Sequence, residues 1–252
     1  MPARALILNA DDLGYDPAVT RGLLRSMREG VVSSATFMVN TPHALAAAQA
    51  VQGGGAPLAI GLHLNLARGQ PLSQGFPAAL LEDGALSEVH APRLPPEAVE
   101  AETHAQLARL EQLLGAPATH IDVHKHLHRH PGVLLGLTRA AHAAGLPVRS
   151  IDAQMRAALR AAGVATNDHF LGDAGAQAYW TLAELERQLA QLPADGVVEL
   201  MCHPGHAPET LRSGYGAQRE VELETFLHPR TRTLLEACGV PVADFRVLHA
   251  PR

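Results

Sequence analysis

The chain has 252 residues, 47% of them hydrophobic, and a formal net charge of −5, which suits one large α/β domain with a substantial core. An acidic balance without a long basic run argues against a nucleic-acid groove, which needs clustered lysine and arginine to displace counterions. Two cysteines, Cys202 and Cys238, are too few for a disulfide scaffold. With no signal pattern at Met1-Pro2-Ala3-Arg4 and no apolar run of membrane-spanning length, the chain reads as cytoplasmic, with reduced thiols and no membrane span.

Ala5-Leu6-Ile7-Leu8 is a continuous apolar run, as expected of a strand buried on both faces of a parallel sheet. It leads into an acidic turn, Asn9-Ala10-Asp11-Asp12-Leu13-Gly14. A helix is expected over 17–30, with Asp16 as N-cap, Pro17 in the first turn and Gly30 as the stop. Strand 31–39, helix 42–53 and strand 59–66 follow. Residues 67–95, rich in glycine and proline, read as an excursion that shapes a substrate cleft. Next come helix 95–114, strand 119–123, helix 131–144 and a short strand at 146–150. Helix 181–192, strand 197–201 and helix 231–239 complete the pattern. Strands alternating with helices indicate a parallel (β/α) barrel or a doubly wound sheet. No internal repeat or linker appears, so residues 1–252 are expected to form a single domain.

Fifteen histidines are present, five of them within Thr119–Pro131. If the strand continues through His128, alternation sets His120, Asp122, His124, His126 and His128 on one face, with Lys125 on the other. Imidazoles crowded on a buried face repel when protonated and need partners when neutral; a divalent cation resolves both. An exposed histidine-rich loop is the competing reading, as is a helix carrying His124 and His128, which Pro131 disfavours. In Ile60-Gly61-Leu62-His63-Leu64-Asn65-Leu66 the leucines face the helices and His63 faces the other way. A lone histidine on such a strand is more often a hydrogen-bonded core residue. It becomes a ligand candidate only beside the second histidine strand and the acidic strand end. Asp11 and Asp12 end the first strand, the edge where parallel α/β folds collect their sites. One carboxylate there can bind a metal while its neighbour acts as a base. His203 ends another hydrophobic strand; Cys202 faces with Val198 and Leu200 and reads as packing. One aspartate and two histidines on separate strand ends make a mixed nitrogen–oxygen site with open positions, the layout of a hydrolytic metal.

These motifs, together with Gly30-Val31-Val32-Ser33-Ser34, Gly69-Gln70-Pro71-Leu72 and Glu199-Leu200-Met201-Cys202-His203-Pro204-Gly205, resemble the YdjC-type (ChbG-like) carbohydrate deacetylase family over nearly the full length. The resemblance implies a distorted barrel of the NodB-like type, one divalent metal ion (magnesium or zinc) and hydrolysis of acetamido groups on sugars. It implies metal ligation by Asp12, His63 and His124, with Asp11 as base and His203 as general acid. Arg149 and Asp168 fall where further polar, substrate-binding residues are expected. Val123 and Lys125 depart from the family's usual serine and histidine. The ending His128-Arg129-His130-Pro131 resembles a subgroup associated with sugar-bearing hopanoid lipids.

The expected partner is thus a small acetylated carbohydrate, either an amino-sugar oligosaccharide or a glycolipid, with no nucleic acid; a homodimer is left open. The rival readings are a metal-dependent phosphoesterase, for which only Arg149 and Lys125 supply charge, and a non-catalytic metal- or sugar-binding protein. The Asp11-Asp12 pair argues against the latter, which needs no base beside its ligand.

Overall fold

In a computed structural model, which describes residues 5–249, one parallel sheet carries the site. The elements run β1 (Ala5–Leu13), α1 (Pro17–Arg28), β2 (Ser34–Phe37), α2 (Ala44–Gln52) and β3 (Ile60–Leu64), then a small hairpin, β4 (Leu81–Glu82) and β5 (Ala85–Leu86). After it come α3 (Pro96–Leu114), β6 (Ile121–Val123), α4 (Pro131–Ala144), α5 (Ala153–Ala161), β7 (His169–Leu171), α6 (Leu182–Leu189) and β8 (Val197–Cys202). The chain continues with α7 (Ala217–Leu227), α8 (Pro229–Cys238) and β9 (Val242–Ala243).

The main sheet has the order β6-β3-β2-β1-β8-β7, every pairing parallel, with β9 added beside β1. Its edges are drawn together by single contacts rather than full strands. Ile121 bridges Val148, the Val148 amide donates to Ala165, and the Asp168 amide donates to Val197. The ladder therefore closes into a distorted barrel, and the strand expected at 146–150 shrinks to that one bridge. Among the described residues, no helix is long and apolar enough to cross a membrane.

Side-chain alternation divides each strand between two environments. The outward set, including Leu6, Leu8, Ala35, Phe37, Leu62, Leu64, Ile121, Val123, Val198, Leu200 and Cys202, packs under the helices in the main hydrophobic core. Cys202 is a buried free thiol in that core, as the alternation predicts, and Cys238 is also free. The inward set begins apolar: Ala5, Ile7 and Val197 with Phe245 and Leu248 plug the bottom of the barrel. Higher up it turns polar, with Asn9, Asp11, Ser34, Thr36, His63, His120, Asp122, Arg149 and Glu199 all buried. Gly61 makes room for one of them: a Cβ there would stand 2.5 Å from the His120 ring.

Helices begin and end where their caps dictate. The Asp16 carboxylate accepts from the Ala18 amide at the start of α1, and Gly115 and Gly145 close α3 and α4 in left-handed conformation. Helices α5 and α7 and strand β7 escape the sequence reading. Helix α7 turns Arg219, Glu222 and Thr225 inward alongside Leu223 and Phe226, so its apolar period is masked by functional polar residues. The excursion after β3 is pinned by α3: Glu102 accepts from the amides of Leu72 and Ser73, and Gln106 bonds both backbone groups of Asn65.

Helices α3 and α4 pack closely through Gly132 and Gly136. A Cβ at Gly136 would lie 2.3 Å from the Pro96 carbonyl oxygen and 2.7 Å from Val99 Cβ. Gly136→Val is expected to overpack this seam at about 1–3 kcal/mol, lowering Tm by roughly 2–10 °C in a thermal melt. Metal binding should not change, because the seam lies outside the barrel.

Candidate active site

The site forms where β1, β3 and β6 end. A regular strand would send Asp11 and Asp12 to opposite faces. Here the register against β2 shifts between Ala10 and Leu13, and Asp12 takes a left-handed backbone conformation with φ of 75°. The irregularity lets both carboxylates reach the barrel mouth: Asp11 turns to the interior, and Asp12 turns to His63 and His124.

Three ligand atoms converge there. Asp12 Oδ1 lies 3.1 Å from His63 Nε2 and 3.1 Å from His124 Nδ1, and the two ring nitrogens are 3.1 Å apart. Neighbouring donors around a cation with bonds of about 2.0–2.1 Å are separated by about 2.8–3.4 Å, from octahedral to tetrahedral. The observed triangle fits that window. Asp12 Oδ1 is buried and faces only the two imidazole nitrogens at 3.1 Å, so a cation among the three would satisfy it once the rings are neutral. Asp12 Oδ2 is held by Arg219 Nη2 at 2.5 Å, leaving one oxygen to face the histidines.

Behind the triangle, Asp122 Oδ1 lies 2.6 Å from His63 Nδ1, and Thr36 donates to Asp122 Oδ2 at 2.9 Å. The carboxylate holds a proton on His63 Nδ1, which in the neutral ring would leave Nε2 free to meet a cation. Asp11, His63 and Asp122 form a second group of donors close enough to share a cation. Arg149 already fills that position. Its Nη1 and Nη2 bind Asp11 at 2.6 and 2.7 Å, Nη1 lies 2.8 Å from Asp122, and Nε lies 2.6 Å from Glu199. Of the two groups, that of Asp12, His63 and His124 is therefore the one a cation could enter.

Burial opposes ionisation of every group here, and specific partners decide the outcome. Against its burial, the Arg149 guanidinium holds the Asp11 carboxyl far below the usual carboxylate range. Burial pushes Glu199 up to about 8 despite the same arginine, so it is neutral at neutral pH. Against its burial, Asp122 and Asp12 raise His63 to about 10, so without metal this ring is an imidazolium shared between two carboxylates. Burial lowers His203 to about 4, and the nearby Asp11 and Asp12 only partly offset it. His203 therefore rests neutral, whereas a general acid must be charged when it acts.

The triangle opens into a cavity of about 530 Å³, whose walls include Tyr15, Arg68, Lys125, His126, His203, Tyr215 and Arg219. From the excursion at 67–95 only Arg68 reaches this wall, so most of that segment lies away from the cleft it was expected to shape. Asp11, Asp12, His63, His124 and His203 all line the cavity. Two expected site residues do not. Arg149 is fully buried behind Asp11, all its bonds spent on carboxylates, so it anchors the base candidate rather than touching a substrate. Asp168 stands at the opposite end of the barrel, where it accepts from the Val197 amide at 2.7 Å and pairs with Arg160.

The histidine face also needs correction. The strand ends at Val123 and residues 124–129 coil into a short 3₁₀ segment, in which Lys125 and His126 are left-handed with φ of 56° and 52°. Only His120, Asp122 and His124 follow the expected alternation. Sequence reasoning missed Arg219 and the orienting roles of Asp122 and Asn9. The spacing of His120 and Asp122 in one inward row was a usable signal for Asp122; nothing local marks Arg219.

A family model described as YdjC-like protein matches residues 5–237. A carbohydrate deacetylase of Brevibacillus brevis is 35% identical, covering 87% of this chain and 89% of its own length. The chitooligosaccharide deacetylase of Serratia marcescens is 33% identical over 97% and 99%. A solved protein of Enterococcus faecalis V583, to which cellobiose-phosphate cleavage has been ascribed, superposes with a TM-score of 0.84 at 27% identity, covering 98% of this chain and 99% of that one.

Two outcomes follow from the geometry. Asp122→Asn should weaken divalent-metal affinity by roughly 10–100-fold in calorimetry, because His63 loses the partner that fixes its tautomer. Metal must also displace the His63 proton. A group raised in the folded protein stabilises fully below its unfolded value of about 6.5 and loses that effect as pH rises through about 10. Between these limits, metal binding should release a proton and tighten as pH rises, which titration in buffers of different ionisation enthalpy will measure.

Proposed function

This chain is a member of the YdjC-like protein family, and from that premise we propose that it is a metal-dependent hydrolase removing N-acetyl groups from sugars. The observation that carries this reading is the triangle of Asp12, His63 and His124 opening into a cavity beside a second, arginine-anchored carboxylate. Two imidazoles and one carboxylate are a donor set that zinc takes readily, with magnesium as the competitor. The bound cation would supply Lewis acidity for the acetamide carbonyl and lower the pKa of water.

The side chains account for the remaining work. Asp11 is fixed at both oxygens by Arg149 and at Oδ1 also by Asn9, so it presents one unvarying acceptor to the attacking water. The water oxygen bonds to the acyl carbon as Asp11 takes its proton. The carbon–nitrogen bond then breaks, and the departing nitrogen receives a proton from His203. Because His203 rests neutral, the proton it delivers is the one released from water and relayed by Asp11, so the step balances without an outside acid. Arg219 keeps Asp12 oriented with one oxygen forward.

A phosphoesterase would need a second cation or free basic groups to meet the phosphate charge; Arg149 occupies the only other donor group found among the described residues, and of the basic side chains on the cavity wall Arg219 is spent on Asp12 and Lys125 on Glu88.

Incubation with N-acetylated sugars, including chitooligosaccharides, should release acetate. Chelation should abolish the release, and re-addition of zinc or magnesium should restore it. No acetate from any acetylated sugar under metal-loaded conditions would sink the assignment. Asp11→Asn should retain the metal and lower turnover by roughly 10²–10⁴; equal metal loss in Asp11→Asn and Asp12→Asn would refute the division of roles.

A further inference from the structure

His126 is a cavity residue that the reaction above does not use. Its backbone is left-handed, as is that of Lys125 before it. Such residues are strained and persist only where their surroundings fix them. The surroundings here are specific. Lys125 Nζ pairs with Glu88 at 2.6 Å, and Arg129 Nε donates to the His126 carbonyl oxygen at 3.2 Å. The His126 ring stands edge-on to Phe170, with centroids 5.6 Å apart, and tilts against the fully buried His128 at 5.8 Å. Its Nδ1 is buried without a partner, which leaves Nε2 as the nitrogen on the cavity side.

The turn thus lifts one imidazole out of the barrel row and aims it into the cavity that also holds Asp11, Asp12 and His203. A cation is not what it awaits: neither donor group able to hold one among the described residues includes His126 or His128. An imidazole nitrogen can donate or accept according to tautomer, and a hydroxyl can do the same, so the two pair in either sense. We propose that His126 is a substrate-binding residue that hydrogen-bonds, through Nε2, a ring hydroxyl of the sugar whose acetamido group is hydrolysed. This rests on the deacetylase reading and adds to it a residue that distinguishes a sugar from a simple acetamide.

The test exploits the backbone. His126→Gly removes the ring and also relieves the left-handed strain, so its Tm should equal or exceed that of the parent. Its KM for N,N′-diacetylchitobiose should rise about tenfold, with kcat falling less than threefold, which is roughly what one lost hydrogen bond between neutral groups costs. His126→Asn, which tolerates the left-handed region and restores a polar group, should recover most of that affinity. Calorimetry with the same disaccharide on Asp11→Asn, with and without His126→Gly, reads the loss apart from turnover. An unchanged KM and unchanged calorimetric affinity in His126→Gly overturn the inference while leaving the deacetylase reading intact. A fall in Tm together with metal loss also overturns it, by assigning His126 a structural role. Absence of acetate release by the parent enzyme on every acetylated sugar defeats the deacetylase reading instead, and this inference with it.

Discussion

The Arg149 guanidinium is the interaction on which the barrel interior depends. Three carboxylates, those of Asp11, Asp122 and Glu199, converge on it with almost no access to water. Burying so many acids near one another is strongly unfavourable unless their charge is met and their oxygens are bonded. One arginine cannot neutralise three, and the system resolves the excess by leaving Glu199 neutral and concentrating charge on Asp11. The planar fork binds Asp11 through two parallel bonds, so it fixes direction as well as charge. Lysine at that position would supply charge without the fork.

A second layer of neutral polar groups finishes the arrangement. Asn9 donates to Asp11 and Thr36, and it accepts from Ser34 at 2.7 Å while lying 3.0 Å from His120 Nε2. His120 is itself stacked on Phe245, with centroids 3.8 Å apart. Burial and the nearby Arg149 hold this histidine well below its ordinary pKa, so it stays neutral and serves as a fixed hydrogen-bonding group. The apolar plug at the barrel floor thus supports, through His120 and Asn9, the carboxylate at the mouth. A network of this kind is effective only when each member is satisfied, because a half-satisfied one is costlier than an apolar core.

Backbone strain is concentrated at the same end of the barrel. Of the four non-glycine residues with left-handed φ among those described, Asp12, Lys125 and His126 line the cavity, and only Asp83 lies elsewhere, in the β4–β5 turn. The regular alternation of a strand cannot bring two adjacent carboxylates to one site, nor separate two histidines that share a face. Irregular backbone at the ends of β1 and β6 does both.

The sequence by itself determined the alternation of strands and helices, the inward row of His120, Asp122 and His124, the inward turn of His63, and the acidic end of β1. These are local facts: period-2 patterning, caps such as Asp16, and glycine stops are written within a few residues of one another. Only tertiary structure decided the rest. Arg149 stands 138 residues from Asp11 and 50 from Glu199 in the chain, and Arg219 stands 207 from Asp12. No local pattern distinguishes such buried arginines from solvated ones. Asp168, expected in the site only from the family resemblance, lies instead at the other end of the barrel on the Val197 amide and Arg160. The end of β6 at Val123 was likewise hidden, because alternating histidines satisfy a strand pattern equally well whether the backbone continues or turns. Period describes which side chains share a face, while a buried charge is settled by the partner that folding brings to it.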